Sequence, residues 1–293
     1  MGFEPPQRLV RALGDSDWLG QLPKLLEEAV ARHGLDVERV AVPGGRSSLV
    51  VLVRRADGTP AALKLVPPSA GGEAERAALA HWNGFGAVRV LDASEGALVL
   101  ERLHPEVSVR SLPESKALLE AAGTVRRLWV APPESHAFES VAERTGRQAA
   151  ALSEFVDVVP SALVAAAVAA REELIARSSE APEDLLLHGD FRQSKVLGGN
   201  RTPWLAVGPE PVVGERAYDL ARLVRDRVED LIASASGPSA ARRRVNRLAD
   251  SLDVDPERLR GWTLFRAVES GTRAMASGRA QEAELTLEFA SWL

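Results

Sequence analysis

The first hundred residues alternate between helical and strand periodicity. From Trp18 to His33 apolar residues recur every three or four positions, which is the spacing of one helical face, and Gly34 follows as a C-terminal stop. A second helix-forming run spans Glu73 to Trp82. The pattern therefore predicts two helices in this part of the chain.

Runs rich in Val, Leu and Ala separate and follow these helices, and they predict strands. The predicted strands are Ser48–Arg54, Ala61–Val66, Ala87–Leu91 and Ala97–Glu101. The first two are joined by a segment that contains Asp57-Gly58, a pair typical of a hairpin turn. The predicted order is one helix, two strands, one helix and two strands.

After Arg102 the pattern becomes mainly helical. Helices are predicted at Glu114–Trp129 and at about Ser161–Arg177. Short strand-like runs interrupt this region at residues 196–197 and 204–207. The chain is thus predicted to be α+β, with a small sheet-rich part followed by a larger helical part.

Composition and charge limit the kinds of protein that this chain can be. At 293 residues, with 45% hydrophobic and 26% charged residues, the chain is expected to fold and to be large enough for two lobes. There are no cysteines, so disulfides and cysteine metal sites are excluded. A net charge of −5 argues against a general nucleic-acid surface. No apolar run approaches the ~20 residues of a membrane span, so we expect a cytoplasmic protein without nucleic-acid or membrane partners.

Two segments carry the candidate chemistry. Residues 185–197 read LLLHGDFRQSKVL, and residues 207–221 read VGPEPVVGERAYDLA. They resemble the aminoglycoside phosphotransferase family, most closely its streptomycin 6-kinase and hydroxyurea phosphotransferase branch. The corresponding family patterns are His-Gly-Asp-Leu-His-Pro-Gly-Asn-Val-Leu and Ile-Asp-Pro-Lys-Pro-Val-Val-Gly-Asp-Pro-Ala-Tyr-Asp-Leu-Ala.

This resemblance extends from about Pro43 to Ser277 and implies a bilobal protein-kinase-like fold. It predicts a small sheet-rich N-lobe, which binds nucleotide, at residues 1–102, and a larger helical C-lobe with a catalytic-loop remnant at residues 103–293. Tyr218 and Asp219 are expected to serve the architecture of the helical lobe, Asp219 by hydrogen bonding near the catalytic loop.

The resemblance assigns Lys64 to the phosphates of a bound nucleotide. Such a lysine is usually positioned by a Glu on the next helix. Glu75 is the expected partner because it lies seven residues before Trp82, and Glu73 is the nearby alternative. The other interpretation of Lys64 is a solvated lysine on a strand.

Further nucleotide contacts are expected from two backbone segments. Gly44, Gly45 and Ser47 precede the first predicted strand, where a turn can bring backbone amides close to phosphates, although a generic turn into the strand explains them equally well. Glu101 and Leu103 lie at the expected connection between lobes, whose backbone could receive an adenine.

The departures from the family concern the metal. Asp190 remains as the base or orienting group for an acceptor hydroxyl, but the two positions of the magnesium ligands hold Lys195 and Gly208. Lysine cannot ligate magnesium, which requires oxygen ligands. Lys195 could instead contact phosphate as a point charge, or it could point outward or pair with Asp190. Glu210 is the nearest acid that could restore a metal ligand.

These substitutions predict a pseudokinase-like member of the family that has lost most or all magnesium-dependent phosphoryl transfer. Its cleft would be kept for binding ATP or another nucleotide without the usual magnesium coordination, a small molecule or a protein partner. One alternative is an active ATP-dependent small-molecule phosphotransferase of atypical mechanism, with Lys64 and Lys195 replacing the metal charge. Another is a repurposed enzyme of natural-product biosynthesis.

Overall fold

The computed structural model describes residues 4–14, 16–155, 159–178 and 183–293. The chain forms two compact units, and each is described by itself. One unit, the sheet unit, comprises residues 1–111 and 196–210, and the other, the helical unit, comprises residues 112–195 and 211–293. The boundary between lobes that the sequence predicts, between residues 102 and 103, stays a prediction.

The core of the sheet unit is a five-stranded antiparallel sheet in the order β1-β2-β3-β5-β4. Its strands are β1 (Leu35–Val40), β2 (Leu49–Arg55), β3 (Pro60–Leu65), β4 (Val90–Ser94) and β5 (Ala97–Glu101). The helices of this unit are α1 (Gln7–Leu13), α2 (Asp17–His33) and α3 (Gly72–Trp82). A second sheet of three strands, in the order β6-β8-β9, contains β6 (His104–Ser108), β8 (Val196–Gly198) and β9 (Trp204–Ala206).

The hairpin between β2 and β3 forms where the Asp-Gly pair predicts it. Gly58 has a φ of 80°, a left-handed conformation that glycine adopts without a Cβ clash. The strands pair antiparallel, with Val50 opposite Lys64 and Val51 opposite Leu63. Because side chains alternate across a strand, Leu63 and Leu65 turn toward the core while Lys64 points to the other face.

The sequence prediction missed β1, so three strands and not two precede α3. Its residues read LDVERV and are mostly half-buried or exposed, which gives a weak apolar signal for an edge strand. The prediction also placed β4 too early, since it begins at Val90 rather than Ala87. Ala87 forms an isolated bridge with Ala206 instead.

In the residues that the structure describes, the helical unit contains helices and a two-stranded sheet, β7 with β10. Its strands are β7 (Leu185–Leu187) and β10 (Val212–Gly214), and its helices are α4 (Glu114–Leu128), α5 (Val141–Leu152), α6 (Ser161–Ser178), α7 (Arg216–Val224), α8 (Val228–Ile232), α9 (Gly237–Leu252), α10 (Pro256–Ala276) and α11 (Ala280–Ala290). None of the helices in the described ranges is both long enough and apolar enough to cross a membrane.

Helix α10 lies at the centre of the helical unit and packs against α6, α7 and α11. Its Trp262 and Phe265 are fully buried, and the Trp262 ring contacts that of Tyr218 of α7 edge-on at a centroid distance of 5.3 Å. Large aromatic side chains remove much apolar area from water, so this contact fixes α7 against α10. The strands of the sheet unit and the helices of the helical unit confirm the sheet-rich and helical parts that the sequence predicts.

A buried ion pair joins the start of α7 to α10. The carboxylate of Glu215 accepts hydrogen bonds from Nε and Nη2 of Arg258, both at 2.6 Å, and from Nε1 of Trp262 at 2.7 Å. Removing one partner of a buried pair leaves the other charge uncompensated, which costs more than losing an exposed pair.

We therefore expect Glu215→Ala to lower the free energy of unfolding by ~3 kcal/mol, measured by urea denaturation followed by circular dichroism. The matched control is Glu257→Ala, because Glu257 forms an exposed pair with Arg260 on α10. The control should change the free energy of unfolding by less than ~0.5 kcal/mol. Equal losses in the two variants would contradict the role of the Glu215 pair.

Candidate functional site

In the sheet unit, Lys64 and Glu75 form a buried ion pair. Strand β3 presents Lys64, and helix α3 presents Glu75, whose carboxylate oxygens accept hydrogen bonds from Nζ of Lys64 at 2.5 and 2.6 Å. Their side chains are 12% and 5% exposed. Glu73, the alternative partner, is exposed and pairs with Arg76 instead. Lys64 is thus not a solvated strand lysine, and its ammonium is held in one place.

The glycine segment before β2 adopts a turn. Gly44 has a φ of 72°, and a Cβ at this position would lie 2.8 Å from the ring of Pro6. Gly45 and Ser47 are exposed. This conformation and the contact with Pro6 are sufficient to explain the glycine at position 44, and no ligand is needed for that explanation. The role of this turn in binding phosphate therefore stays a prediction.

The residues expected at the lobe connection are already engaged within the sheet unit. Glu101 accepts hydrogen bonds from Arg201 Nε at 3.2 Å and Nη2 at 3.1 Å, and from the backbone amide of Arg89 at 3.1 Å. The side chain of Leu103 is buried. Any contact of this segment with a nucleotide would therefore come from its backbone.

In the helical unit, a buried carboxylate holds the loop that follows β7. The amides of His188 and Gly189 donate to Asp219 of α7 at 3.0 and 2.8 Å, and Trp129 Nε1 donates to it at 3.3 Å. Burial raises the pKa of Asp219, and these donors oppose that rise. Asp219 therefore acts on the loop as the sequence leads us to expect.

The loop presents Asp190 to a group of cations. One carboxylate oxygen pairs with Lys195, the other pairs with Arg222 of α7, and Arg192 lies 3.7 Å away. Burial by itself would raise the pKa of Asp190, but Arg222, Lys195 and Arg192 together outweigh burial and hold that pKa well below its usual range. Asp190 is therefore an ionised carboxylate at neutral pH.

Of the alternatives for Lys195, the structure adopts the pairing with Asp190. Sequence reasoning missed Arg222 as a partner of Asp190. Its position could have indicated the contact, since Arg222 lies three residues after Asp219 and therefore on the same face of α7.

The residues do not fit the magnesium ion that the resemblance implies. Lys195 places an ammonium against Asp190, and Gly208, in the sheet unit, has no side chain. Glu210 is exposed. Among the residues that the structure describes, no group of three or more His, Cys, Asp or Glu is arranged to hold a metal ion. Gly208 has a φ of 61°, a left-handed conformation in which Asp is one of the better tolerated residues.

Comparisons with known proteins cover most of the chain. The profile of a family described as aminoglycoside/hydroxyurea antibiotic resistance kinase matches residues 33–278. A streptomycin 6-kinase of Streptomyces glaucescens is 33% identical over 92% of this chain and 89% of its own. A hydroxyurea phosphotransferase of Kitasatospora aureofaciens is 36% identical over 85% of this chain and 72% of its own.

The fold has a counterpart among crystal structures. Aminoglycoside phosphotransferase APH(4)-Ia superimposes with a TM-score of 0.64 at 18% identity, over 92% of this chain and 97% of its own. The bilobal kinase-like fold that the sequence predicts is therefore confirmed.

The ion pairs of Asp190 with Lys195 and Arg222 predict how the stability of the protein depends on pH. Replacing Asp190 by Asn leaves Lys195 and Arg222 without their anion, so the free energy of unfolding should fall by ~3 kcal/mol at pH 7. The pKa of Asp190 is lower in the folded state than in the unfolded state. The difference in free energy of unfolding between wild type and variant should therefore be constant above about pH 5. It should shrink as the pH falls through the pKa of the unfolded state, about 3.9, toward the lower pKa of the folded state.

Urea denaturation of wild type and Asp190→Asn at intervals from pH 7 to pH 3 measures this difference. An advantage that already shrinks between pH 7 and 6 would show that Asp190 takes up a proton near neutrality, contrary to its cationic surroundings.

Proposed function

Because the chain belongs to the aminoglycoside/hydroxyurea antibiotic resistance kinase family, we propose that it is an ATP-dependent phosphotransferase that acts on a hydroxyl group of a small molecule. Its mechanism is atypical, since lysine and arginine stand near the acceptor-orienting carboxylate where the family has magnesium coordination. The inactive pseudokinase that the substitutions suggested becomes the second candidate.

The observation that carries this proposal is the assembled Lys64–Glu75 pair. A buried lysine paired with a carboxylate keeps its ammonium in one position, and two of its three donors go to Glu75, which leaves one for a phosphate oxygen. This is the arrangement that kinase-type phosphotransferases require before transfer. It supports nucleotide binding by the sheet unit, which the family relationship also favours.

Asp190 supplies the acceptor chemistry. An ionised carboxylate accepts a hydrogen bond from the acceptor hydroxyl and directs one oxygen lone pair at the phosphorus. In the transfer, a bond forms between that oxygen and the γ-phosphorus, the bond to the β-phosphate oxygen breaks, and ADP leaves. With its pKa held low, Asp190 orients the hydroxyl more effectively than it removes the proton, and the proton is released to water as the new P–O bond forms.

Lys195 and Arg222 supply positive charge next to Asp190. Two monovalent cations match the charge of one magnesium ion but lack its ability to bridge phosphate oxygens in a fixed octahedral geometry. We therefore expect transfer that is slow and only weakly dependent on magnesium.

A second candidate function is binding without transfer. The specific observation in its favour is that both oxygens of Asp190 are paired with cations, which competes with the acceptor hydroxyl. This candidate predicts that nucleotide binds and that no acceptor is phosphorylated. The protein with nucleotide bound would then recognise a small molecule or a protein partner.

Calorimetric titration with ATP tests the nucleotide site. Wild type should bind ATP both with magnesium and in EDTA, and Lys64→Ala should weaken binding by at least about tenfold because a charge-assisted hydrogen bond to phosphate is lost. The control is Lys24→Ala, since Lys24 is an exposed lysine on α2 in the same unit. ATP binding that requires magnesium would contradict the idea that Lys195 and Arg222 supply the charge of the metal ion. An absence of ATP binding would contradict the proposed function.

A turnover assay separates the two candidates. Purified protein is incubated with ATP and an acceptor, either streptomycin, hydroxyurea, a hexose or a hexose phosphate, and ADP and phosphorylated acceptor are both measured. The proposal expects slow transfer that Asp190→Asn lowers by about a hundredfold or more. ATP binding with no transfer to any acceptor would favour the second candidate.

Restoring the two family ligands tests whether only those ligands were lost. The double variant Lys195→Asn with Gly208→Asp should gain magnesium-dependent ATP binding and faster transfer, because it supplies two oxygen ligands. The strain of an Asp at the left-handed Gly208 position costs about 1 kcal/mol. Each single variant is the control, and a double variant no better than either would implicate the rest of the Asp190 loop.

A further inference from the structure

The surroundings of Asp190 contain more hydrogen-bond donors than they use. Three side-chain nitrogens there are buried without a partner among the described residues: Arg192 Nε, Gln193 Nε2 and Arg225 Nη1. All three are donors, and Gln193 is fully buried. Buried donors are normally paired, so unpaired donors in one part of the protein are suited to a ligand that brings acceptor oxygens.

These three residues belong to one connected part of the helical unit. The amide of Gln193 donates to Asp226 at 2.6 Å, and Gln193 Oε1 accepts from Arg227 Nε at 3.0 Å. This second bond also fixes the orientation of the side-chain amide, so that Nε2 is the unpaired atom. The loop after Asp190 is thereby fastened to the residues that directly follow Arg225.

Arg225 stands one helical turn beyond the Asp190 contact. It caps α7 with a helical backbone conformation, three residues after Arg222, and so lies on the same face. Its Nη2 donates to Ser270 Oγ of α10 at 3.1 Å, which leaves Nη1 without a partner. Burial, reinforced by the like charges of Arg222 and Arg266, lowers the pKa of Arg225 to about 9.

The local charge balance is positive. Asp190 is shared between Lys195 and Arg222, with Arg192 beside them, and Arg266 donates to the carbonyl of Gly189 at 2.6 Å. Glu269 and Asp226 partly offset the charge of Arg225. A group of cations held this close favours an anion and repels a polycation such as an aminoglycoside.

We propose that the helical unit carries an oxyanion subsite, formed by Arg192, Gln193 and Arg225, that binds a carboxylate or phosphate group of the acceptor. Arginine and amide donors arranged around an oxyanion are the usual means of recognising either group. The proposal rests on the proposed function in one respect, that the ligand bearing the anion is the acceptor. It implies that the substrate is an anionic hydroxy compound, such as a sugar phosphate or hydroxy acid, and not a cationic aminoglycoside.

Direct binding measurements test this subsite without any turnover. In phosphate-free buffer, wild type should bind inorganic phosphate and glucose 6-phosphate in calorimetric titrations and should bind neither glucose nor streptomycin. Arg225→Gln should weaken binding of both anions by about tenfold or more because one charge-assisted hydrogen bond is lost, while Arg225→Lys should retain part of it.

The matched control is Arg247→Gln, because Arg247 is an exposed arginine of α9 and its loss changes the net charge equally. Arg192→Gln, at a partly exposed side chain, provides a second test if Arg225→Gln does not fold. No anion binding by wild type, or equal weakening in Arg247→Gln, would overturn the subsite.

A competition experiment distinguishes the acceptor from the nucleotide as the source of the anion. Glucose 6-phosphate should still bind in the presence of saturating ATP, whereas competition would assign the subsite to a nucleotide phosphate and overturn the acceptor assignment. Anion binding by a protein that never turns over ATP would leave the subsite intact and contradict only the proposed function. Turnover of streptomycin by a protein that binds no anion would support the proposed function and contradict the subsite.

Discussion

The carboxylate of Asp219 is the constraint on which the candidate chemistry of the helical unit depends. It accepts hydrogen bonds from two successive backbone amides, those of His188 and Gly189, and so fastens the loop before Asp190 to helix α7. The same helix then supplies Arg222 to Asp190. Because α7 is itself fixed against α10 by the Tyr218–Trp262 contact, the position of Asp190 is set by the hydrophobic core rather than by the loop alone.

The structure surrounds the carboxylate of Asp190 with cations. Lys195 and Arg222 hold Asp190 ionised, so the electrostatic state of the site does not depend on a bound ion. Lys195 and Gly208 are positions at which the sequence differs from the family pattern that it resembles, whereas Asp219 and Tyr218 match that pattern and make contacts that support the fold. Function is carried by the site and not by the fold alone.

Much of the fold could be predicted from the sequence because its elements have clear periodicity. The helix that ends at Gly34 and the hairpin at Asp57-Gly58 carry local signals, whereas β1 has few apolar residues and is defined by its pairing with β2. In the site, motif spacing led to Lys64, to Asp190 and to Glu75 in preference to Glu73, and the structure pairs Lys64 with Glu75 and Glu73 with Arg76. Arg222 and Arg225 were missed because side chains meet there from a loop and two helices that are far apart in sequence.

The spacing of Asp219 and Arg222 along α7 has an evolutionary consequence. The two residues stand three positions apart, so a single helical register aims both of them at the same loop. Inserting or deleting one residue in α7 would rotate everything beyond it by about 100° and would separate the loop support from the charge on Asp190. Side chains around such a helix can be exchanged one at a time during evolution, but the number of residues between Asp219 and Arg222 cannot change without separating these two contacts.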